Sequence, residues 1–115
     1  METVIVAIPT AEGRLTTHFG HCASFALVTA DRAAKRVLGR EDVVPPPHEP
    51  GLLPRWLGER GVGMIIAGGM GSRAQQLFAR QGIEVVTGAP CLAPEELVER
   101  RLAGTLETGA NGCDH

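Results

Sequence analysis

Histidine and cysteine side chains are concentrated in one short stretch of the sequence, His18-Phe19-Gly20-His21-Cys22. Imidazole nitrogens and thiolates are preferred ligands of zinc, iron and copper, and thiolate is the usual ligand of iron–sulfur clusters. If the stretch forms one helical turn, His18, His21 and Cys22 share a face, although Gly20 favours a non-helical turn. The stretch predicts a metal site; the alternative is that Cys22 is a small buried residue.

The last three residues, Cys113-Asp114-His115, carry two further metal-ligand types. They follow a segment without hydrophobic periodicity, so a flexible arm could close over a metal held by the first stretch. The alternative is a chain end in which Cys113 and His115 have no function. Both interpretations stay open on the sequence alone.

A glycine-rich turn precedes a predicted helix and is typical of an anion-binding site. Successive backbone N–H groups at a helix N-terminus favour a phosphate or an anionic cluster. The turn lacks the lysine of a P-loop, and a tight turn that merely needs glycine explains it equally well. We predict Ser72 as the helix N-cap, and Met70 is either a soft contact to a cluster or a flexible core plug. The predicted cofactor-binding residues of this turn are Gly68, Gly69, Met70, Gly71 and Ser72.

Hydrophobic periodicity and turn residues predict an α/β domain with a mixed five-stranded sheet in the order β-β-β-α-β-α-β-α. In such sheets ligands bind beyond the carboxyl ends of the parallel strands. If the first strand is parallel to the last two, the histidine–cysteine stretch, the glycine-rich turn and Cys91 all lie at that edge, with buried packing as the alternative for Cys91. Strands are predicted at 2–8, 24–30, 36–44, 64–67 and 83–87, and helices at 52–60, 73–81 and 94–102.

Length and charge narrow the range of functions. The 115 residues suit one domain, predicted at 1–104, followed by a tail at 105–115. A net charge of −2 without a basic run argues against nucleic-acid binding, and no apolar run is long enough for a membrane span. We therefore expect a cytoplasmic protein. No catalytic motif stands out, so we expect a protein that is not an enzyme.

Several short motifs together make the sequence resemble the dinitrogenase iron–molybdenum cofactor-binding family, over nearly the whole chain. The resemblance implies a ribonuclease-H-like fold, binding of an iron–sulfur or iron–molybdenum cluster, and a role for His18 as the family's motif histidine. His21, Cys22, Cys113 and His115 are not part of that motif and rest on coordination chemistry alone. The matching segments are 6–9, His18-Phe19-Gly20 with Phe25, 68–71, Gly82-Ile83, 94–96 and 104–106.

These observations predict a carrier of a metal cluster in cofactor assembly or delivery. Its partners would be the proteins that donate and accept the cluster, and we leave a homodimer open. One alternative is a chaperone or sensor for a single Zn or Cu(I) ion that uses the same side chains. Another is a module that binds a phosphate-bearing ligand at the glycine-rich turn.

Overall fold

A computed structural model describes residues 3–11, 14–15, 24–44, 52–89 and 92–106 of the chain. It confirms the α/β class, with a mixed sheet of five main strands and three helices. The strands are β1 (Thr3–Ala11), β2 (Arg14–Leu15), β3 (Ser24–Asp31), β4 (Arg36–Val43), β5 (Val62–Ile66) and β6 (Glu84–Val86). The helices are α1 (Leu52–Glu59), α2 (Ser72–Arg80) and α3 (Pro94–Ala103).

The sheet combines an antiparallel meander with two parallel crossovers. Its five main strands lie in the order β4-β3-β1-β5-β6. β1 pairs antiparallel with β3, and β3 with β4, whereas β1, β5 and β6 are parallel. β1, β5 and β6 therefore end at one edge of the sheet, called the carboxyl edge below. This parallel arrangement is the condition on which the predicted convergence of the ligand-bearing loops depends.

Helices cover both faces of the sheet. Because successive side chains of a strand point to opposite faces, each strand contributes side chains to both layers. In β1, Val4, Val6 and Ile8 pack on the face covered by α3, while Ala7 packs under α1 and α2. Buried aliphatic side chains dominate both layers, as expected from the few aromatic residues. Among the helices that the structure describes, none is long and apolar enough to cross a membrane.

Two features near the start of the chain differ from the prediction. The first strand does not end at residue 8 as predicted, since β1 continues through Pro9, opposite Phe25, to Ala11. Because β5 pairs only with Ile5–Ala7, Pro9 lies where β1 has no parallel partner, a position that tolerates a residue without an N–H group. The two-residue strand β2 was missed, since so short a segment has no periodicity.

The three helices end within one residue of the predicted positions 60, 81 and 102, and a glycine in the left-handed conformation follows each of them. Gly61, Gly82 and Gly104 have φ values of 81°, 75° and 75° after α1, α2 and α3. The predicted N-cap of α2 was wrong by one residue: Gly71 is the N-cap and Ser72 is the first helical residue.

Candidate functional site

The carboxyl edge gathers the ends of the chain segments that bear the predicted ligands. β1 ends at Ala11 before the histidine–cysteine stretch, β5 ends at Ile66 before the glycine-rich turn, and β6 ends at Val86 before Cys91. His18, His21, Cys22, Cys91, Cys113 and His115 themselves lie outside the described residues. Their role as ligands therefore stays a prediction, and the described residues alone contain no group of three His, Cys, Asp or Glu side chains able to hold a metal.

The strand β2 determines where the histidine–cysteine stretch is attached to the sheet. Thr10 pairs with Ser24 of β3 and also with Leu15 of β2, so β2 must lie on the side of β1 opposite to β3. Nearer the start of β1, at Ile5–Ala7, the same side is occupied by β5. Leu15 and Ser24 precede and follow the stretch. They flank β1 about 10 Å apart, because neighbouring strands are separated by about 4.8 Å. The chain therefore leaves the described residues at Leu15, on the β5 side of β1, and re-enters them at Ser24, on the β3 side.

A pair of hydroxyl groups, on the buried Thr10 and the half-buried Ser24, holds this attachment point. Thr10 is only 2% exposed, and its Oγ1 donates a hydrogen bond to the carbonyl oxygen of Ser24 at 3.1 Å. The same Oγ1 lies 2.9 Å from Oγ of Ser24. This pair could not be predicted from the sequence, because nothing in the local pattern shows that residues 10 and 24 are neighbours.

Replacing Thr10 with valine is expected to lower the free energy of unfolding by about 1 kcal/mol, because the isosteric side chain cannot bond to Ser24. Thr105→Val is a matched control, since the hydroxyl of Thr105 is exposed and lies 3.4 Å from its acceptor. That control is expected to change stability by less than about 0.5 kcal/mol. Urea denaturation measures both, and equal stability of the two variants would show that the Thr10 pair does not support the edge.

The glycine-rich turn is hydrogen-bonded to the loop that follows β6. The N–H of Gly88 donates to the carbonyl oxygen of Gly68 at 3.1 Å, and the N–H of Ala89 donates to that of Ala67 at 3.2 Å. The loop is thus fixed beside the turn up to two residues before Cys91. Two of the three ligand-bearing segments therefore meet through backbone contacts.

Gly71 begins α2 without any conformational need for glycine. Its φ and ψ of −64° and 152° are available to every residue type. A Cβ at this position would meet nothing within 4 Å in the described part of the chain. The alternative that the turn merely requires glycine therefore does not hold at Gly71. No described residue occupies the place of the missing side chain beside the first N–H groups of α2.

The first turns of α2 and α3 differ in charge. The first turn of α2 has no acidic residue and includes the exposed Arg73. The first turn of α3 has Glu95 and Glu96, which are paired with Arg40 at 2.6 Å and Arg100 at 2.8 Å. Of these two helices, therefore, only α2 has no acidic side chain in its first turn that would offset the positive end of its helix dipole.

Arg40 is the residue that links β4 to α3. Partial burial lowers the pKa of its guanidinium, but hydrogen bonds and attraction to Asp42 and Glu95 together raise that pKa above its ordinary value. The guanidinium therefore stays charged and offsets the carboxylate of Glu95.

The remaining residues of the turn have different surroundings. Met70 is fully buried in the cluster under α1 and α2, which favours its interpretation as a core plug. Its carbonyl oxygen accepts a hydrogen bond from Nε2 of Gln75 at 2.9 Å. Gly69 is buried, Gly68 is half-buried, and Ser72 is exposed at the first position of α2. Among the residues of this turn, Gly71 and Ser72 are therefore the exposed ones, whereas the Met70 side chain is not exposed.

This architecture defines a small three-layer α/β domain whose parallel strands β1, β5 and β6 end at one edge of the sheet. The model of the dinitrogenase iron–molybdenum cofactor family matches residues 2–104. The chain belongs to this family, as its motifs predicted. No curated protein matches the chain significantly.

Several solved structures share the fold. PH0822 is similar with a TM-score of 0.85 and 27% identity over 97% of this chain and 100% of its own. The apo form of the orange protein from Desulfovibrio gigas is similar with a TM-score of 0.70 and 25% identity over 93% of each chain. A candidate dinitrogenase from Methanocaldococcus jannaschii has a TM-score of 0.74 at 17% identity, over 96% of this chain and 99% of its own, a likeness of fold alone.

Proposed function

We propose that this protein binds and carries an iron–sulfur or iron–molybdenum cluster at the carboxyl edge, without catalysing a reaction. The observation that carries the proposal is that β1, β5 and β6 end at that edge, and that the histidine–cysteine stretch, the glycine-rich turn and Cys91 follow these strands in the sequence. Family membership supports a cluster-related binding role. The description of the orange protein structure as an apo form supports a bound group in a similar fold.

The donor chemistry fits such a cluster. Thiolates and imidazoles coordinate iron, and a cluster with thiolate ligands usually bears negative charge. The N–H groups at the start of α2 are oriented to interact with negative charge, and no acidic residue in that first turn opposes them. In this proposal His18, His21 and Cys22 hold the metal. The backbone at Gly68–Ser72 and the thiol of Cys91 complete the surroundings of the cluster.

The same proposal extends to fold classification and cellular role. The resemblance implies a ribonuclease-H-like classification, which the antiparallel meander followed by two parallel crossovers supports. We further propose a cytoplasmic carrier that receives its cluster from one protein and delivers it to another. A homodimer is compatible with this role.

Anaerobic reconstitution with ferrous iron and sulfide tests the proposal. The wild type is expected to gain a sulfide-to-iron charge-transfer absorption, and a His18→Ala/Cys22→Ala variant is expected to lose most of it. His48→Ala is the matched control, since this histidine has no assigned role. A wild type without bound iron, or a double variant that binds iron and sulfide equally well, contradicts the proposal.

The alternatives give different results in the same preparation. A single bound Zn or Cu(I) ion would appear in elemental analysis without acid-labile sulfide. A phosphate-binding module would gain thermal stability from inorganic phosphate in the absence of metal, because a ligand stabilises the folded state that binds it.

A further inference from the structure

The outer edge of β6 has no strand partner among the described residues. β6 is the last strand of the sheet and pairs only with β5 there. The carbonyl oxygen of Val86 accepts a hydrogen bond from Ala67, which follows β5, at 2.8 Å. Because backbone groups alternate sides along a strand, the N–H and C=O of Val85 and Thr87 point away from β5. These groups can bond to a further extended segment.

A groove lies along this outer edge. It has a volume of about 360 Å³ and is lined by Val85, Val86, Thr87, Arg101 and Leu106. Leu106 also packs against the core cluster under α3. The last described residue of the chain therefore lies at the groove itself.

The chain already runs toward the carboxyl edge when it reaches this groove. Near the end of α3, Arg101 pairs with Glu84, the first residue of β6, at 3.4 Å. Gly104 then turns the chain, and the N–H groups of Thr105 and Leu106 both donate to the carbonyl oxygen of Arg100. Leu106 lies beside Val85, Val86 and Thr87, further along β6 than Glu84. Between Arg101 and Leu106, the last described residue, the chain thus passes from the start of β6 to the groove.

We propose that residues 107–115 dock along the outer edge of β6, parallel to it, and bring Cys113 and His115 to the carboxyl edge. Cys113 is seven residues beyond Leu106. An extended chain of that length spans about 23 Å, whereas the edge lies about 10 Å beyond Val85. The segment is therefore long enough to pair with β6 and still reach the glycine-rich turn. Docking itself is independent of any cluster, whereas ligation by Cys113 and His115 rests on the proposed function.

Amide hydrogen exchange measured by NMR on metal-free protein tests the docking. The amides of Val85 and Thr87 are expected to exchange about 10-fold more slowly in the full chain than in a chain ending at Leu106. The amide of Val86 faces β5 and serves as the internal control, with the same rate in both. In the full chain, Thr87→Pro removes one outward N–H and keeps the pairing with β5, and it is expected to speed exchange at Val85.

Equal exchange of Val85 and Thr87 in the full and shortened chains would overturn the proposal. Protection that persists in the shortened chain and disappears on dilution would also overturn it, since the occupant would then be a second copy. Because no metal is present, this result is separate from the reconstitution test. In reconstituted protein, Cys113→Ser is expected to alter the charge-transfer spectrum, and an unchanged spectrum would refute ligation by Cys113.

Discussion

Replacing Gly71 with aspartate is expected to stabilise the fold and, at the same time, to weaken cluster binding by about 10- to 100-fold. The backbone at Gly71 accepts a side chain, and a Cβ meets no described atom within 4 Å. The new carboxylate can accept N–H groups of the first turn of α2, which adds about 0.5–1 kcal/mol to the free energy of unfolding. It would also repel an anionic cluster at the same N–H groups by about 2–3 kcal/mol at a separation of about 6 Å.

Gly71→Asn is the matched control, because asparagine has nearly the same shape, also caps helices and has no charge. Titration of reconstituted protein and urea denaturation measure affinity and stability of both variants. Equal cluster affinity of the two variants would remove the N-terminus of α2 from the binding site. Tighter binding of a single metal cation by the aspartate variant would instead favour the mononuclear alternative.

Replacing Phe78 with alanine is expected to lower the free energy of unfolding by about 3–5 kcal/mol, a large part of the stability of a domain this size. Phe78 is the one fully buried side chain of α2 and packs under α1 against the sheet. Its carbonyl oxygen also accepts the N–H groups of Gln81 and Ile83 at the end of the helix. Loss of the packed Phe78 ring loosens α2, so the glycine-rich turn that precedes this helix is affected as well.

The neighbouring Leu77 provides the comparison, since it is only half-buried on the same helix. Leu77→Ala is expected to cost about 1 kcal/mol. Urea denaturation measures both values, and the slope of the unfolding free energy against urea concentration is expected to be unchanged in both variants. Similar losses in the two variants would show that α2 does not depend on a single buried anchor.

The main elements could be predicted because their signals are local. Short apolar runs indicated β5 and β6, and the left-handed glycines that end the helices come directly after periodic segments. The extension of β1 through Pro9 and the existence of β2 could not be predicted. Both depend on which strands pair beside Thr10, and this pairing involves residues distant in the sequence.

The candidate site shows the same division. The side chains that could bind a metal were predicted from residue type, and the glycine-rich turn was predicted from its composition. The sequence did not show that Gly71, rather than Ser72, is the N-cap, since capping depends on the backbone angles at that position. It also did not show the buried bond from Thr10 to Ser24 across 14 positions.

By itself, the sequence determined the α/β class, the family and the residue types available to a metal, because periodicity and motifs are properties of neighbouring residues. Only the tertiary structure decided that β1, β5 and β6 end at one edge, and that Arg40 neutralises Glu95 across 55 positions. These relations come from the pairing and packing of distant segments. The energies of these contacts depend on the whole sheet, and a local pattern of residues does not indicate which distant segments will be in contact.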